Sequence, residues 1–222
     1  MSANERNTAD GRPYTIAVFC GSSTGNDPVY LEAARQVGAT LARAGIGVVY
    51  GGGHVGLMGA VADSALAAGG HVIGVIPRAL HGREVMHDTV TELIVVETMH
   101  ERKMLMAEKS DAFLALPGGP GTLEEITEQW TWAQLGIHEK PCGFLNVAGY
   151  YDPLITLVET MRERGFTHPR YTEMLRFSDS IDELIEAFRT YQAPARVAAS
   201  PGLEMSTVLG TSDADEPVSV QP

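Results

Sequence analysis

Ala112-Phe113-Leu114-Ala115-Leu116-Pro117-Gly118-Gly119-Pro120-Gly121-Thr122-Leu123-Glu124-Glu125 passes from an unbroken apolar run, through three glycines, into a segment with helical spacing. A short apolar run without polar alternation reads as a strand buried on both faces, the usual state of a strand in a parallel sheet. Residues 123–135 then read as a helix. Glycine lets the backbone approach a ligand closely and take positive φ. A helix start adds unpaired N–H groups and the positive end of a dipole. Together these predict an anion site, above all one for phosphate. It is not a Walker loop, because no Gly-Lys-Ser/Thr follows.

The same grammar recurs outward in both directions. Strands are expected at 14–20, 48–50, 72–76, 93–96, 112–116, 143–146 and 176–177, and helices at 29–44, 57–68, 99–110, 123–135, 154–164 and 181–191. This alternation predicts one α/β domain over residues 13–192, a parallel sheet with helices on both faces. In such sheets ligands gather at the carboxyl ends of the strands, and every glycine-rich loop here falls at such an end. Residues 77–90 form a polar loop holding Arg78, His81, Arg83, Glu84 and His87. Residues 1–12 read as a flexible leader. Residues 193–222, rich in Pro, Ala, Ser and acidic side chains, read as a disordered tail.

The 222 residues suit one such domain, which at this size buries roughly 70% of its unfolded surface without a metal or disulfide staple. A formal net charge of −12 opposes nonspecific binding to nucleic acid or anionic membrane. A phosphorylated small molecule then needs a locally built anion site. Cys20 and Cys142 lie in apolar runs outside any CxxC pattern and read as buried free thiols in a reducing compartment. No apolar run is long enough to span a membrane, and residues 1–12 lack a signal core. The expected location is the cytoplasm.

Three further patterns bear on chemistry. Thr122 with Glu125 three residues on fits a capping box. Glu124 and Glu125 beside an anion site also suit a carboxylate that stabilises a ribosyl cation or orients water. Spacing leaves both readings of Glu125 open. Thr98 with Glu101 fits another capping box, which puts Arg102 and Lys103 near a helix start, where the dipole disfavours cations by roughly 0.3–1 kcal/mol. They read either as solvated charge or as an anion-facing pair, with Arg giving multi-donor recognition. Gly51-Gly52-Gly53-His54-Val55-Gly56 formally contains GxGxxG, but the next strand ends at Ile76-Pro77-Arg78 without the acidic residue a dinucleotide site needs. Close packing or a second nucleotide-facing loop explains these glycines better than NAD. Ser22 and Ser23 follow the first strand and line the cleft, and no GxSxG elbow accompanies them. His54, His81, His87, His100 and His138 show no metal-ligand spacing, so no metal is expected.

Taken together, Cys20-Gly21-Ser22-Ser23, Gly51-Gly52-Gly53 with Gly56-Leu57-Met58-Gly59, Met99-His100-Glu101-Arg102-Lys103, the 117–125 loop and Thr131-Trp132-Ala133-Gln134-Leu135-Gly136 make a specific pattern. The chain resembles the LOG ("lonely guy") family, the cytokinin riboside 5′-monophosphate phosphoribohydrolases, over residues 16–191. The resemblance implies a Rossmann-like doubly wound fold, a homodimer and no cofactor. It implies hydrolysis of N6-modified AMP to free base and ribose 5-phosphate. Carried onto matching positions, Arg102 and Glu125 are the catalytic pair. Glu84, Lys103, Gly118, Gly119, Pro120, Gly121, Thr122, Leu123, Glu124 and Thr131 contact the substrate, with Ser22 at the cleft. Pro120 departs from the pattern, where many relatives carry an aromatic residue, and it removes one N–H from the loop. Two alternatives stay open: a broader AMP or purine nucleotide phosphoribohydrolase, and a noncatalytic nucleotide-binding module.

Overall fold

The computed structural model describes residues 13–80 and 86–194. The expected leader, Glu84 and residues 195–222 of the expected tail therefore lie outside the described residues. Seven strands form one parallel sheet: β1 (Thr15–Phe19), β2 (Gly47–Tyr50), β3 (Val72–Pro77), β4 (Glu92–Val96), β5 (Ala112–Ala115), β6 (Cys142–Leu145) and β7 (Leu175–Ser178). Their order across the sheet is β4-β3-β2-β1-β5-β6-β7. The chain therefore begins at the centre, winds outward to β4, then returns beside β1 and winds the other way. The reversal lies between β1 and β5, paired in parallel with Ala17 opposite Phe113 and Val18 opposite Leu114. In open α/β sheets a ligand crevice forms at such a reversal, outside the carboxyl ends of the strands.

The side-chain period of two sorts each strand between the two faces. Ile16 and Val18 of β1, with Val48, Tyr50 and Leu114, pack against helices α1 (Pro28–Arg43), α2 (Gly56–Ala67) and α7 (Ile181–Arg189). Ala17 and Phe19, with Val49, Val75, Phe113 and Phe144, pack against α3 (Met99–Glu108), α4 (Pro120–Gln134) and α5 (Asp152–Glu163). The doubly wound expectation holds, and α3 and α4 share one face. A short helix α6 (Pro169–Thr172) lies between α5 and β7, where no helix was expected. Its start follows from Pro169, whose fixed φ suits the first helical position. Cys20 and Cys142 are buried free thiols, as expected. No helix among the described residues is long and apolar enough to cross a membrane.

Candidate active site

The loop after β5 corrects one expectation. Helix α4 begins at Pro120, with Gly119 as its N-cap and no side chain capping it, so Thr122 and Glu125 form no capping box. Proline at the first helical position is preorganised for the turn and gives up only an N–H that had no intrahelical partner. The first i→i−4 bond runs from Leu123 N–H to Gly119 O (3.3 Å). The amides of Gly121 and Thr122 precede it and have no acceptor within the helix. A Cβ on Gly119 or Gly121 would meet nothing within 4 Å, so both glycines face open space. Gly118 differs: a Cβ there would strike Thr122 Oγ1 and come within 2.9 Å of Gly21 N. Thr122 itself is buried against this turn.

The loops after β1, β2 and β5 lock together at the topological switch. Gly21 N–H donates to Pro117 O (3.1 Å), and Leu57 N–H donates to Gly21 O (3.0 Å). A cavity of about 400 Å³ opens against Gly21, Ser22, Pro117, Gly118 and Gly119, with Tyr30 and Tyr150 on its wall. Two residues missed from sequence brace it after β6. Tyr150 Oη donates to Gly118 O (2.5 Å), and the buried Tyr151 Oη donates to Leu116 O (2.6 Å). Their signal was positional, since they too follow a strand's carboxyl end.

Arg102 is not solvated charge. The Thr98 cap does form: Thr98 Oγ1 accepts from Glu101 N–H (3.1 Å), and Glu101 Oε2 accepts from Glu97 N–H (2.9 Å). That cap fixes the first turn of α3 and turns Arg102 inward, where it is 7% exposed. Its Nε donates to Val75 O (3.1 Å), and its Nη1 lies 3.7 Å from Glu125 Oε1. The guanidinium passes over Gly51, and a Cβ at that position would collide with Nη2 and lie 3.1 Å from Cζ. Gly51 is thus glycine because Arg102 occupies the space, a role sequence spacing does not reveal. At 3.7 Å the pair is looser than a charge-assisted hydrogen bond of about 2.8 Å.

Lys103 also turns inward, to a different end. Its Nζ donates to Glu124 Oε1 (2.6 Å) and Glu128 Oε1 (2.9 Å), stapling α3 to α4. Desolvation lowers the ammonium's pKa, but the hydrogen bonds and charges of the two carboxylates outweigh it and leave it raised. Leu123 and Thr131 sit on the exposed side of α4, and Thr131 Oγ1 donates to Thr127 O (2.8 Å). The structure pairs Arg102 with Glu125, groups Ser22 with Gly118 and Gly119 along the cavity, engages Lys103 with Glu124, and leaves Thr131 on an outer face. Met106 is 1% exposed in the core, whereas Met99 is exposed.

The sequence profile of a family described as "Possible lysine decarboxylase" matches residues 58–188. Two curated relatives from Arabidopsis thaliana, both named cytokinin riboside 5′-monophosphate phosphoribohydrolase, align closely. One is 46% identical over 87% of this chain and 91% of its own length. The other is 49% identical over 80% of this chain and 82% of its own. Among solved structures, the molybdenum cofactor carrier protein of Chlamydomonas reinhardtii has a TM-score of 0.60 at 23% identity, covering 79% of this chain and 96% of that one. The molybdenum cofactor binding protein of Rippkaea orientalis has a TM-score of 0.62 at 24% identity, covering 81% and 97%. At these identities the structures show the shared Rossmann-like fold. The decarboxylase description finds no support in the lysines. The chain has three: Lys103 is held protonated as above, Lys109 Nζ donates to Glu92 (3.4 Å) and Lys140 Nζ donates to Ala107 O (2.7 Å). A Schiff-base lysine needs the opposite, a lowered pKa and a free amine.

Proposed function

Because the chain belongs to the LOG family of cytokinin riboside 5′-monophosphate phosphoribohydrolases, we propose that it hydrolyses the N-glycosidic bond of N6-modified AMP, releasing a cytokinin base and ribose 5-phosphate. One observation carries the reading at this site: a buried arginine–glutamate pair stands one helical turn behind an uncapped helix start at the sheet's switch point. The 5′-phosphate sits on the amides of Gly119, Gly121 and Thr122, in the field of the α4 dipole. Pro120 supplies no amide and keeps the turn stiff.

With the phosphate so held, Glu125 faces the ribose. As the C1′–N9 bond breaks, its electron pair leaves with the purine and positive charge grows at C1′. The Glu125 carboxylate stabilises that charge and takes a proton from the incoming water, which becomes the anomeric hydroxyl. Arg102 stabilises the departing purine by electrostatics, since its own proton is not given up, and the purine takes its proton from solvent. Ser22 lines the cavity rim. Lys103 with Glu124 supports the site by holding α3 against α4.

The assembly we propose is a homodimer, formed through α3, α4 and the turn that follows. Met99, Met104, Leu123, Leu135 and Ile137 are all exposed there, a concentration of apolar side chains of the kind that marks an interface. Thr131 lies on the same side and reaches a ligand through the partner. We further propose a cytoplasmic location and no nucleic-acid ligand. Incubating the protein with N6-isopentenyl-AMP and with AMP, then resolving base and ribose 5-phosphate chromatographically, tests the activity. Equimolar base and ribose 5-phosphate are expected. Release of phosphate alone, or binding with no product, would overturn it.

A further inference from the structure

The fold gathers three side chains that chain spacing separates. His54 follows β2, Asp63 lies on α2, and His87 follows the 81–85 segment. His87 Nε2 lies 2.8 Å from Asp63 Oδ1, and His54 Nε2 lies 3.3 Å from Asp63 Oδ2. One ligand atom from each residue falls within 4.8 Å of the others. Intervals of 9 and 24 residues in the chain match no short metal motif, which is why the histidines carry no such signal in sequence. We propose that His54, Asp63 and His87 form a binding site for a divalent transition-metal ion, zinc being the best match.

The donor chemistry fits. Two imidazoles and one carboxylate suit Zn²⁺, with waters completing the shell. Metal–ligand distances of about 2.0–2.1 Å require ligand atoms roughly 3.3 Å apart in a tetrahedron; here each histidine meets a different Asp63 oxygen, and one ligand atom from each residue lies within 4.8 Å of the others. The remaining gap closes by movement of His54, whose side chain is 44% exposed and free to shift. His87 is the fixed member. Its side chain is 2% exposed, its N–H donates to Gly52 O (3.2 Å), and its Nδ1 lies 3.1 Å from Thr89 Oγ1. With Nε2 on the ion, Nδ1–H donates to Thr89 Oγ1, the outer hydrogen bond that orients most metal-binding histidines. His54 and Asp63 line an open groove of about 680 Å³ between α1 and α2, which gives an ion and its waters access. The buried Tyr50 hydroxyl has no hydrogen-bond partner among the described residues. Burial, and after it the charge of Asp63, raises its pKa.

An ion here ties the loop after β2, helix α2 and the chain at His87 to one point. Its effect is therefore on stability, separate from the ribotide chemistry. The test titrates Zn²⁺ alone into chelator-treated full-length protein, with stoichiometry from calorimetry, melting temperature, and a visible absorption band from Co²⁺ substitution. One ion per chain and a rise of about 5–10 °C at a hundredfold excess over Kd are expected. His54→Gln and Asp63→Asn alter exposed side chains, so both variants should fold with the metal-free melting temperature of the parent and lose the ion. Parent-like stoichiometry and melting shift in both variants, or no bound ion in the parent, would overturn the proposal. His87→Gln should lose the ion as well. If it does not fold, the two exposed variants carry the test.

Discussion

Gly51→Ala probes the site without touching a group that meets substrate. The new Cβ would overlap Arg102 Nη2 and lie 3.1 Å from Cζ and 3.4 Å from Met58 Sδ. Ordinary contact needs about 3.5–4.0 Å, so the guanidinium must withdraw by on the order of 1 Å or more. It cannot do so and keep both the 3.1 Å bond to Val75 O and the approach to Glu125. A displacement of about 1 Å in a positioned catalytic group costs roughly 100-fold, or about 2.7 kcal/mol of transition-state stabilisation. Overpacking costs about 1–3 kcal/mol of folding stability besides, which leaves a folded protein to assay. Steady-state base release from N6-isopentenyl-AMP should show kcat down about 100-fold and KM within a few-fold, because the phosphate cradle is untouched. Combining Gly51→Ala with Arg102→Ala should be no worse than Arg102→Ala alone, since both act through one side chain. Additive losses, or Gly51→Ala at parental kcat, would refute the reasoning.

Glu125→Gln keeps shape and removes charge, so kcat should fall about 10²–10⁴-fold with the melting curve little changed. Gly121→Ala meets open space in the folded chain, so it should melt like the parent yet raise KM for the ribotide by crowding the phosphate. Gly118→Ala strikes Thr122 and Gly21 and should lower the melting temperature. Lys103→Met leaves Glu124 and Glu128 without their shared cation and should lower the unfolding free energy in urea by about 1–3 kcal/mol. His138, pushed down to about 4 by burial and then by Lys140, contributes stability that is full above its unfolded value of about 6.5. Melting scans should show that contribution lost as pH falls from about 6.5 to 4, and His138→Asn should flatten the slope.

Much of the architecture was legible because strand and helix periods differ and the glycine loops mark strand ends. The seven strands, the two-sided packing and the Thr98 cap were all readable in this way. The start of α4 was misplaced because Pro120 looks like a break, yet a proline fits the first helical position, and moving the start to 120 frees Glu125 from capping. Arg102 and Lys103 could not be separated by adjacency. Successive residues on a helix point about 100° apart, so one reaches the strand ends and the other reaches α4. The role of Gly51 beside Arg102 is a distance across the sheet and was not readable, and Tyr150 and Tyr151 offered only their place after a strand's carboxyl end.

In the proposed mechanism, amides at the start of α4 grip the anionic end of a ribotide while Glu125 stands at its anomeric carbon. The ratio of kcat/KM for N6-isopentenyl-AMP to that for the riboside lacking phosphate tests it most directly. Two or three charged hydrogen bonds of about 1.5–3 kcal/mol each predict a preference of about 10²-fold or more for the ribotide. Equal cleavage of both substrates would contradict the account.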